Sequence, residues 1–378
     1  MIVRSRTQIP KTASHAFYCA LLFSRMLPSS LPASSISQAL QRLADMPRLA
    51  LGHLPTPLQA LHRISAHVGG PRIWIKRDDC TGLATGGNKT RKLEFLLGDA
   101  LAQGCDTLIS QGALQSNHAR QVAAAGAAAG LKVHLVLSDA VPDRQPDYAR
   151  LGNIQLCRLL GAQVQIVPGD SDSDALCAQL ARDLAANGAK PYVIPMGGSN
   201  GMGALGYASA LIEIANQMHA LGEPLDAVVL ATGSGGTQAG LMLGAALMQW
   251  SGQVYGVSVS PDYALAAQRV GKALDEASAL LDLPTEVARS VPLLVDEAFK
   301  GPHYGIPNMA TYAALELAAR MEGVLLDPVY SGKGFAGLLA ACAAGGSLHN
   351  ARNVVFLHTG GTAALSAYPE VGNTTLQA

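Results

Sequence analysis

From Cys105 onward the chain alternates short apolar runs with stretches of helical spacing, and this alternation restricts the fold more than any other feature. Thr107 to Ser110 reads as a strand, Ala119 to Ala129 as an alanine-rich helix, and Val133 to Leu137 as a buried strand. Tyr148 to Leu160 has helical spacing, Val164 to Val167 is a strand, Asp174 to Ala186 a helix and Tyr192 to Ile194 a strand. The pattern then restarts, with helix Ala204 to Ala220, strand Asp226 to Ala231, helix Gly236 to Trp250, strand Val254 to Val259 and helix Asp262 to Leu281. After a looser stretch come helices at Asn308 to Glu322 and Phe335 to Ala344 and a strand at Asn353 to Leu357. Apolar strands separated by helices require a parallel sheet covered on both faces, because such strands have no polar side to turn to water. The two series predict an α/β protein of two open parallel-sheet lobes. A crevice between them, at the carboxyl ends of strands, is where such folds hold ligands.

Composition narrows the partners. The 378 residues suit one large α/β unit or two lobes. With 27 basic and 27 acidic residues the formal net charge is zero, so no electrostatic footprint for nucleic acid or an anionic membrane is present. No apolar run reaches the length of a bilayer span. The cysteines (Cys19, Cys80, Cys105, Cys157, Cys177, Cys342) lie far apart without a C-x-x-C pair. Neither a zinc site nor a disulfide framework is readable, and reduced thiols in a cytoplasmic protein are expected. The N-terminal stretch differs: Arg4, Arg6, Lys11, Arg25 and Arg42 all precede the first acid, Asp45, and Ala16 to Phe23 is a short apolar run behind basic residues. This suits a targeting segment, or an upstream extension with a start near Met46. Residues 1–45 are therefore set aside from the fold.

Candidate chemistry gathers at the junctions between elements. Gly86-Gly87-Asn88-Lys89-Thr90-Arg91-Lys92 opens a helix whose apolar spacing is set by Leu93, Leu96 and Leu97. Lys89, Arg91 and Lys92 crowd the positive end of a helix dipole, where cations are disfavoured. A solvated face is the plain explanation; the local conflict points instead to an anion nearby or a lysine held neutral. Thr232-Gly233-Ser234-Gly235-Gly236-Thr237 follows a strand directly and offers backbone N–H groups to a phosphate. It is no Walker A loop, and Gln238 stands where a dinucleotide fingerprint needs its third glycine, so a lone phosphate fits better. A tight turn without ligand is the other reading.

Gln115-Ser116-Asn117-His118 lies between a strand and the alanine-rich helix. It is either the polar end of a crevice or a helix cap, with Ser116 or Asn117 as N-cap. Asp327-Pro328-Val329-Tyr330-Ser331-Gly332-Lys333-Gly334 puts a Tyr-Ser pair ahead of a helix, where an ordinary loop with Ser331 as cap is the plain reading. His358-Thr359-Gly360-Gly361 ends the last strand near the same edge. No H-E-x-x-H, G-x-S-x-G or paired carboxylates compete with this set.

Together these segments resemble the fold-type-II (tryptophan synthase β-like) pyridoxal-phosphate enzymes. The resemblance is to the family that includes 1-aminocyclopropane-1-carboxylate deaminase, D-cysteine desulfhydrase and L-cysteate sulfo-lyase. It runs from Leu54-Pro55-Thr56-Pro57-Leu58 to Tyr368. It rests on Ile75-Lys76-Arg77-Asp78-Asp79, the run Gly86 to Lys92, Gln115 to His118, Gly197-Gly198-Ser199-Asn200 and Asp327 to Tyr330, in the family's order. It implies pyridoxal 5'-phosphate as cofactor, carried on Lys89 as a Schiff base. Asn117 would hydrogen-bond the cofactor's phenolic oxygen, and Gly233, Ser234, Gly235, Gly236 and Thr237, with Lys92, would hold its phosphate. Ser116, Asn117, His118 and Tyr304 would meet an amino-acid substrate, and Lys89, Ser116, Tyr304 and Tyr330 would carry catalysis, without a metal. The resemblance also implies a large lobe of 46–91 and 201–378, a small lobe of 92–200, and a cytoplasmic homodimer.

Ser331 orders the family's reactions. The deaminase has a Glu there, which can keep the pyridine nitrogen protonated; a neutral hydroxyl gives a weaker electron sink and suits β-elimination better than opening a cyclopropane. Gly203 to Tyr207 resembles the desulfhydrase and sulfo-lyase branch, and Arg77 to Leu83 with Tyr330 to Gly334 resembles the sulfo-lyase. The first expectation is therefore cleavage of L-cysteate to pyruvate, sulfite and ammonium. D-cysteine cleavage to pyruvate, sulfide and ammonium comes second, and 1-aminocyclopropane-1-carboxylate deamination third. A nicotinamide-dependent oxidoreductase using the Gly233 loop is the alternative from another class.

Overall fold

A computed structural model of the chain describes residues 33–142 and 144–372. It opens with helix α1 (Ala33–Asp45), strand β1 (Leu58–Ala60), helix α2 (His62–Val68), strand β2 (Arg72–Arg77) and helix α3 (Lys89–Ala102). Then follow β3 (Thr107–Ala113), α4 (Asn117–Ala129), β4 (Lys132–Asp139), α5 (Asn153–Leu159), β5 (Gln163–Pro168), α6 (Ser173–Ala186) and β6 (Pro191–Ile194). These strands form a parallel sheet in the order β5-β4-β3-β6. The rest of the chain supplies α7 (Gly201–Ala220), β7 (Ala227–Thr232), α8 (Gly236–Met248), β8 (Gln253–Ser258) and α9 (Tyr263–Leu280). It ends with α10 (Thr285–Arg289), β9 (Leu294–Asp296), α11 (Met309–Glu322), α12 (Ser331–Cys342) and β10 (Asn353–His358). The second sheet runs β1-β2-β10-β7-β8-β9, parallel except for β1 against β2.

The two α/β sheets expected from the alternation are present. Every residue of β7 and of β10 is buried, as strands inside a doubly covered parallel sheet must be. Small residues let the layers close. A Cβ on Gly240 of α8 would lie 2.2 Å from the Ala204 carbonyl of α7, and one on Gly244 would lie 2.8 Å from that of Ala208. The two helices therefore pack backbone against backbone.

Several boundaries differ from the sequence reading. The stretch Tyr148 to Leu160 is not one helix: a 3-10 turn (Pro146–Ala149) and α5 are separated at Gly152, which has φ 66° and ψ −134°. A Cβ at Gly152 would meet the Gln115 amide oxygen at 2.5 Å, so that side chain pins the break. Helix α12 begins at Ser331 rather than Phe335 because the buried Asp327 carboxylate accepts the N–H groups of Val329, Tyr330 and Ser331. The looser stretch contains α10 and β9.

The fold also reaches back past Met46. Residues 1–32 lie outside the described residues, and with them most of the proposed targeting segment. The remainder of that extension is α1, whose Ala39 and Leu43 are buried in the large lobe's core. The alternation of apolar and polar positions in Ala33–Asp45 builds an amphipathic face that the core uses.

Candidate active site

Five chain junctions meet where β3, β7 and β10 end. The crevice is lined by Asn88 and Lys89 at the start of α3, Asn117 at the start of α4, and Ala231 to Gly235 with Thr237 between β7 and α8. Tyr330, ahead of α12, and Thr359, after β10, close it.

Lys89 is the first residue of α3. The preceding turn is possible only with glycine: Gly86 has φ 71° and Gly87 φ 132°, and a Cβ on Gly87 would meet the Gln121 amide oxygen at 2.6 Å. Lys89 Nζ donates to Asn88 Oδ1 at 2.8 Å and lies 5.8 Å from the centre of the Tyr330 ring. Burial lowers its pKa to about 8; the Asp327 carboxylate opposes that shift and the Arg120 guanidinium adds to it. Asn88 Nδ2 donates to Thr237 Oγ1 at 3.1 Å, which ties the lysine turn to the loop after β7.

The three cations at this helix start have separate explanations. Arg91 turns away from the crevice into a buried ion network. Its Nε and Nη2 donate to Asp78 at 2.8 and 2.9 Å, and its Nη1 and Nη2 donate to Glu213 at 2.9 and 2.8 Å. Lys76, Tyr207 and Thr56 complete the network around the same two carboxylates. Lys76, Asp78 and Tyr207 thus help anchor α3 to α7, while Arg77 and Asp79 pair with each other at 2.7 Å.

Lys92 is different. Its Nζ donates to the Gly197 carbonyl at 3.1 Å and to Ser199 Oγ at 3.0 Å, and Ser199 Oγ lies 2.7 Å from Ser234 Oγ. Burial, with the Lys89 charge, pushes the Lys92 amine well below the ordinary lysine range. Among the described residues no carboxylate pairs with it. Gly235, with φ 86°, caps α8 without a side-chain bond, so the helix presents its first N–H groups to the crevice. A Cβ on Gly236 would lie 2.8 Å from Ser199. A phosphate dianion fits this cradle: the helix start and the buried amine both lack an anion of the chain's own. Gln238, where a dinucleotide loop has glycine, is buried and donates to the Leu294 carbonyl at 2.7 Å.

Asn117 Oδ1 accepts from Asn153 Nδ2 at 2.9 Å and from Arg120 Nη1 at 3.3 Å. With its oxygen so engaged, its amide NH2 is the end left for the crevice. Arg120 is wholly buried and also donates to Asn153 and to the Gly86 carbonyl, both at 2.7 Å, while its Nε has no partner. No carboxylate pairs with it among the described residues, so a positive field lies beneath Asn117 and Lys89. Sequence reading missed Arg120, Asn153 and Asp327 as site-shaping residues. Asp327 belongs to the Asp327 to Gly334 motif, whereas Arg120 and Gly86 lie far apart in the sequence and no spacing signal joins them.

The other candidates fall at varied distances from the crevice. Ser116 is the N-cap of α4, its Oγ accepting the Ala119 N–H at 3.1 Å, so the cap reading holds. His118, the second residue of α4, is buried with Nε2 2.8 Å from Ser110 Oγ, and burial followed by the Lys89 and Lys92 charges keeps it neutral. It does not line the crevice. Tyr304 Oη meets Tyr330 Oη at 2.6 Å, with the rings edge to face, and burial raises both phenols above their ordinary range. Ser331 is fully buried, donates through Oγ to Asp327 Oδ1 at 2.6 Å and accepts the Asp327 N–H at 2.8 Å. Its hydroxyl proton is therefore already committed.

Two open parallel sheets with a lysine, a phosphate cradle and a tyrosine pair at their shared crevice define a fold-type-II cofactor enzyme. Residues 49–360 match the family model described as "Pyridoxal-phosphate dependent enzyme", and the chain belongs to that family. Its cofactor is pyridoxal 5'-phosphate, which removes the nicotinamide alternative. The chain is 43% identical over 335 residues to a D-cysteine desulfhydrase of Serratia proteamaculans, covering 88% of this chain and 99% of that one. It is also 43% identical to a D-cysteine desulfhydrase of Klebsiella pneumoniae, covering 87% and 98%. Among solved structures, one described as an ACC deaminase homologue aligns with a TM-score of 0.80 at 34% identity, covering 89% of this chain and 98% of that chain. A threonine deaminase at 20% identity, with a TM-score of 0.61, shares the fold.

Proposed function

We propose that this enzyme expels a sulfur leaving group from the β-carbon of a small amino acid, with D-cysteine as the first substrate, giving pyruvate, sulfide and ammonium. The observation that carries this reading is the 43% identity, over nearly the whole chain, to the desulfhydrases. It reverses the order expected from the sequence, which put L-cysteate first. That order leaned on Tyr330 to Gly334 and Arg77 to Leu83, and the geometry ties both to local structure: Ser331 to Asp327, and Arg77 to Asp79 at 2.7 Å. 1-Aminocyclopropane-1-carboxylate stays third.

The cofactor, when bound, supplies an electron sink for the charge left on the substrate's α-carbon. Everything else falls to the chain. Lys89 Nζ would hold the cofactor and would serve as the base for the Cα proton; its lowered pKa makes the neutral amine accessible near neutral pH. The Asn117 amide donates to the phenolic oxygen. Gly233 to Thr237 and Lys92 hold the phosphate and so fix where the reacting carbon lies. Tyr304 and Tyr330 keep their protons across neutral pH; one O–H is spent on their mutual hydrogen bond and the other is left to meet the departing sulfur. Ser116 and the buried His118 shape the substrate side through the start of α4, where the Ser116 hydroxyl caps the helix and His118 Nε2 bonds Ser110. Ser331 stays a neutral neighbour of the cofactor ring whose proton belongs to Asp327.

The large lobe is 46–91 with 201–378, extended to include α1, and the small lobe is 92–200. The enzyme works as a cytoplasmic homodimer, as the resemblance to its family implies. The test is a substrate panel of D-cysteine, L-cysteine, L-cysteate and 1-aminocyclopropane-1-carboxylate on purified holoenzyme. Sulfide and pyruvate from D-cysteine, at the highest kcat/KM of the panel, are expected. Sulfite from L-cysteate with no sulfide from D-cysteine would restore the other order, and 2-oxobutanoate as the main product would overturn elimination of sulfur.

A further inference from the structure

Lys333 stands outside the crevice lining, yet it is wholly buried in the first turn of α12. Its Nζ donates to three backbone carbonyls: Val259 at 3.0 Å, Lys300, and His303 at 3.4 Å. No carboxylate pairs with it among the described residues. A lysine ammonium carries three donors, and here each finds a carbonyl. A set of converging backbone carbonyls is also how proteins replace the water around a small monovalent cation.

The three carbonyls belong to segments that border the crevice. The Val259 N–H bonds the Thr232 carbonyl at 3.0 Å, and its side chain lies 3.1 Å from where a Cβ on Gly233 would be. His303 immediately precedes Tyr304, whose hydroxyl meets Tyr330. Lys333 itself follows Tyr330 and Ser331 on one short turn. A single buried charge thus links the phosphate loop, the loop carrying Tyr304 and the start of α12.

We propose that Lys333 is a built-in cation, a positioning residue that holds Tyr304 and the Gly233 loop in register, and that its head occupies a site suited to K⁺ or ammonium. Removing the side chain opens that site to the free ion. In Lys333→Ala holoenzyme, K⁺ or NH4⁺ raises Tm and restores turnover, tetramethylammonium at equal ionic strength does neither, and wild type shows no such difference. Lys333→Met fills the space without charge; its kcat falls about ten-fold or more while KM moves less, and no cation rescues it. If Lys333→Ala cannot be purified folded, its refolding yield in KCl against tetramethylammonium chloride is the readout. Equal responses of Lys333→Ala to all three cations, or wild-type turnover by Lys333→Met, overturn the proposal. The thermal comparison needs no substrate, so it stands apart from the assignment of the reaction.

Discussion

Lys89 is surrounded by neighbours of opposite effect. Burial and Arg120 favour its neutral amine, Asp327 favours the ammonium, and the balance lies at about 8. At pH 7 roughly a tenth of such amines are neutral, against well under a thousandth for an ordinary lysine. Only the neutral amine attacks the cofactor's carbonyl, so the sign is clear: capture of pyridoxal phosphate by apoenzyme speeds up as pH rises and levels off above about 8. Stopped-flow absorbance of apoenzyme mixed with cofactor between pH 6 and 10 checks this. A rate still climbing ten-fold per pH unit at pH 9 contradicts it. Arg120 and Lys92 show why single residues were only partly legible. A lysine beside two glycines at a helix start is visible in sequence as a conflict of charge, and Lys89 and Lys92 were found that way. The partners of Arg120 lie at Gly86 and Asn153, far along the chain, and no spacing rule joins them.

Among the elements, α3 carries most of the buried charge around the crevice. Its first turn holds Lys89 in the crevice, Arg91 in the network with Asp78 and Glu213, and Lys92 at the phosphate cradle. Burial alone would raise the Asp78 carboxyl, but Arg91, Tyr207 and Lys76 outweigh it and hold it below the ordinary range; Arg91 and Lys76 do the same for Glu213. The stability these carboxylates give is therefore present above about pH 4, and is lost as pH falls through their depressed folded values. Arg91→Met leaves both acids without their main partner and is expected to lose about 3–5 kcal/mol. Urea unfolding at pH 7 checks the loss, and at pH 4 the gap between variant and wild type should narrow; an unchanged midpoint at pH 7 sinks the idea. The elements themselves were legible in proportion to their polarity pattern. β7 and β10 are apolar from end to end and were read directly. β2 mixes Arg72, Lys76 and Arg77 with its apolar residues, each paired with a carboxylate (Glu223, Glu213 and Asp79), so its polarity pattern does not mark a strand. The early start of α12 depends on Asp327 folding back onto three N–H groups, which a glycine-rich sequence disguises as a loop.

In the whole molecule the crevice belongs to neither sheet. Asn117 follows β3 of the four-stranded sheet, Gly233 to Thr237 and Thr359 follow β7 and β10 of the six-stranded one, Lys89 opens α3 between them along the chain, and Tyr330 precedes α12. Val329, Ala364 and Tyr368 also pack in the small lobe's core, so the end of the chain joins the two lobes. The N-terminal side contributes differently, through α1, which packs on the large lobe's core. Removing residues 1–45 uncovers the site of Ala39 and Leu43 on the large core; burying one leucine is worth about 1.5–3 kcal/mol, so a measurable fall in Tm is expected. A chain starting at Met46 with wild-type Tm would show that α1 is dispensable. The most direct test of the whole account is borohydride reduction of holoenzyme followed by peptide mapping. The account requires the visible cofactor band to disappear and the pyridoxyl label to appear on Lys89, with no band in Lys89→Ala. A label on Lys92, or a band that persists in Lys89→Ala, would contradict it.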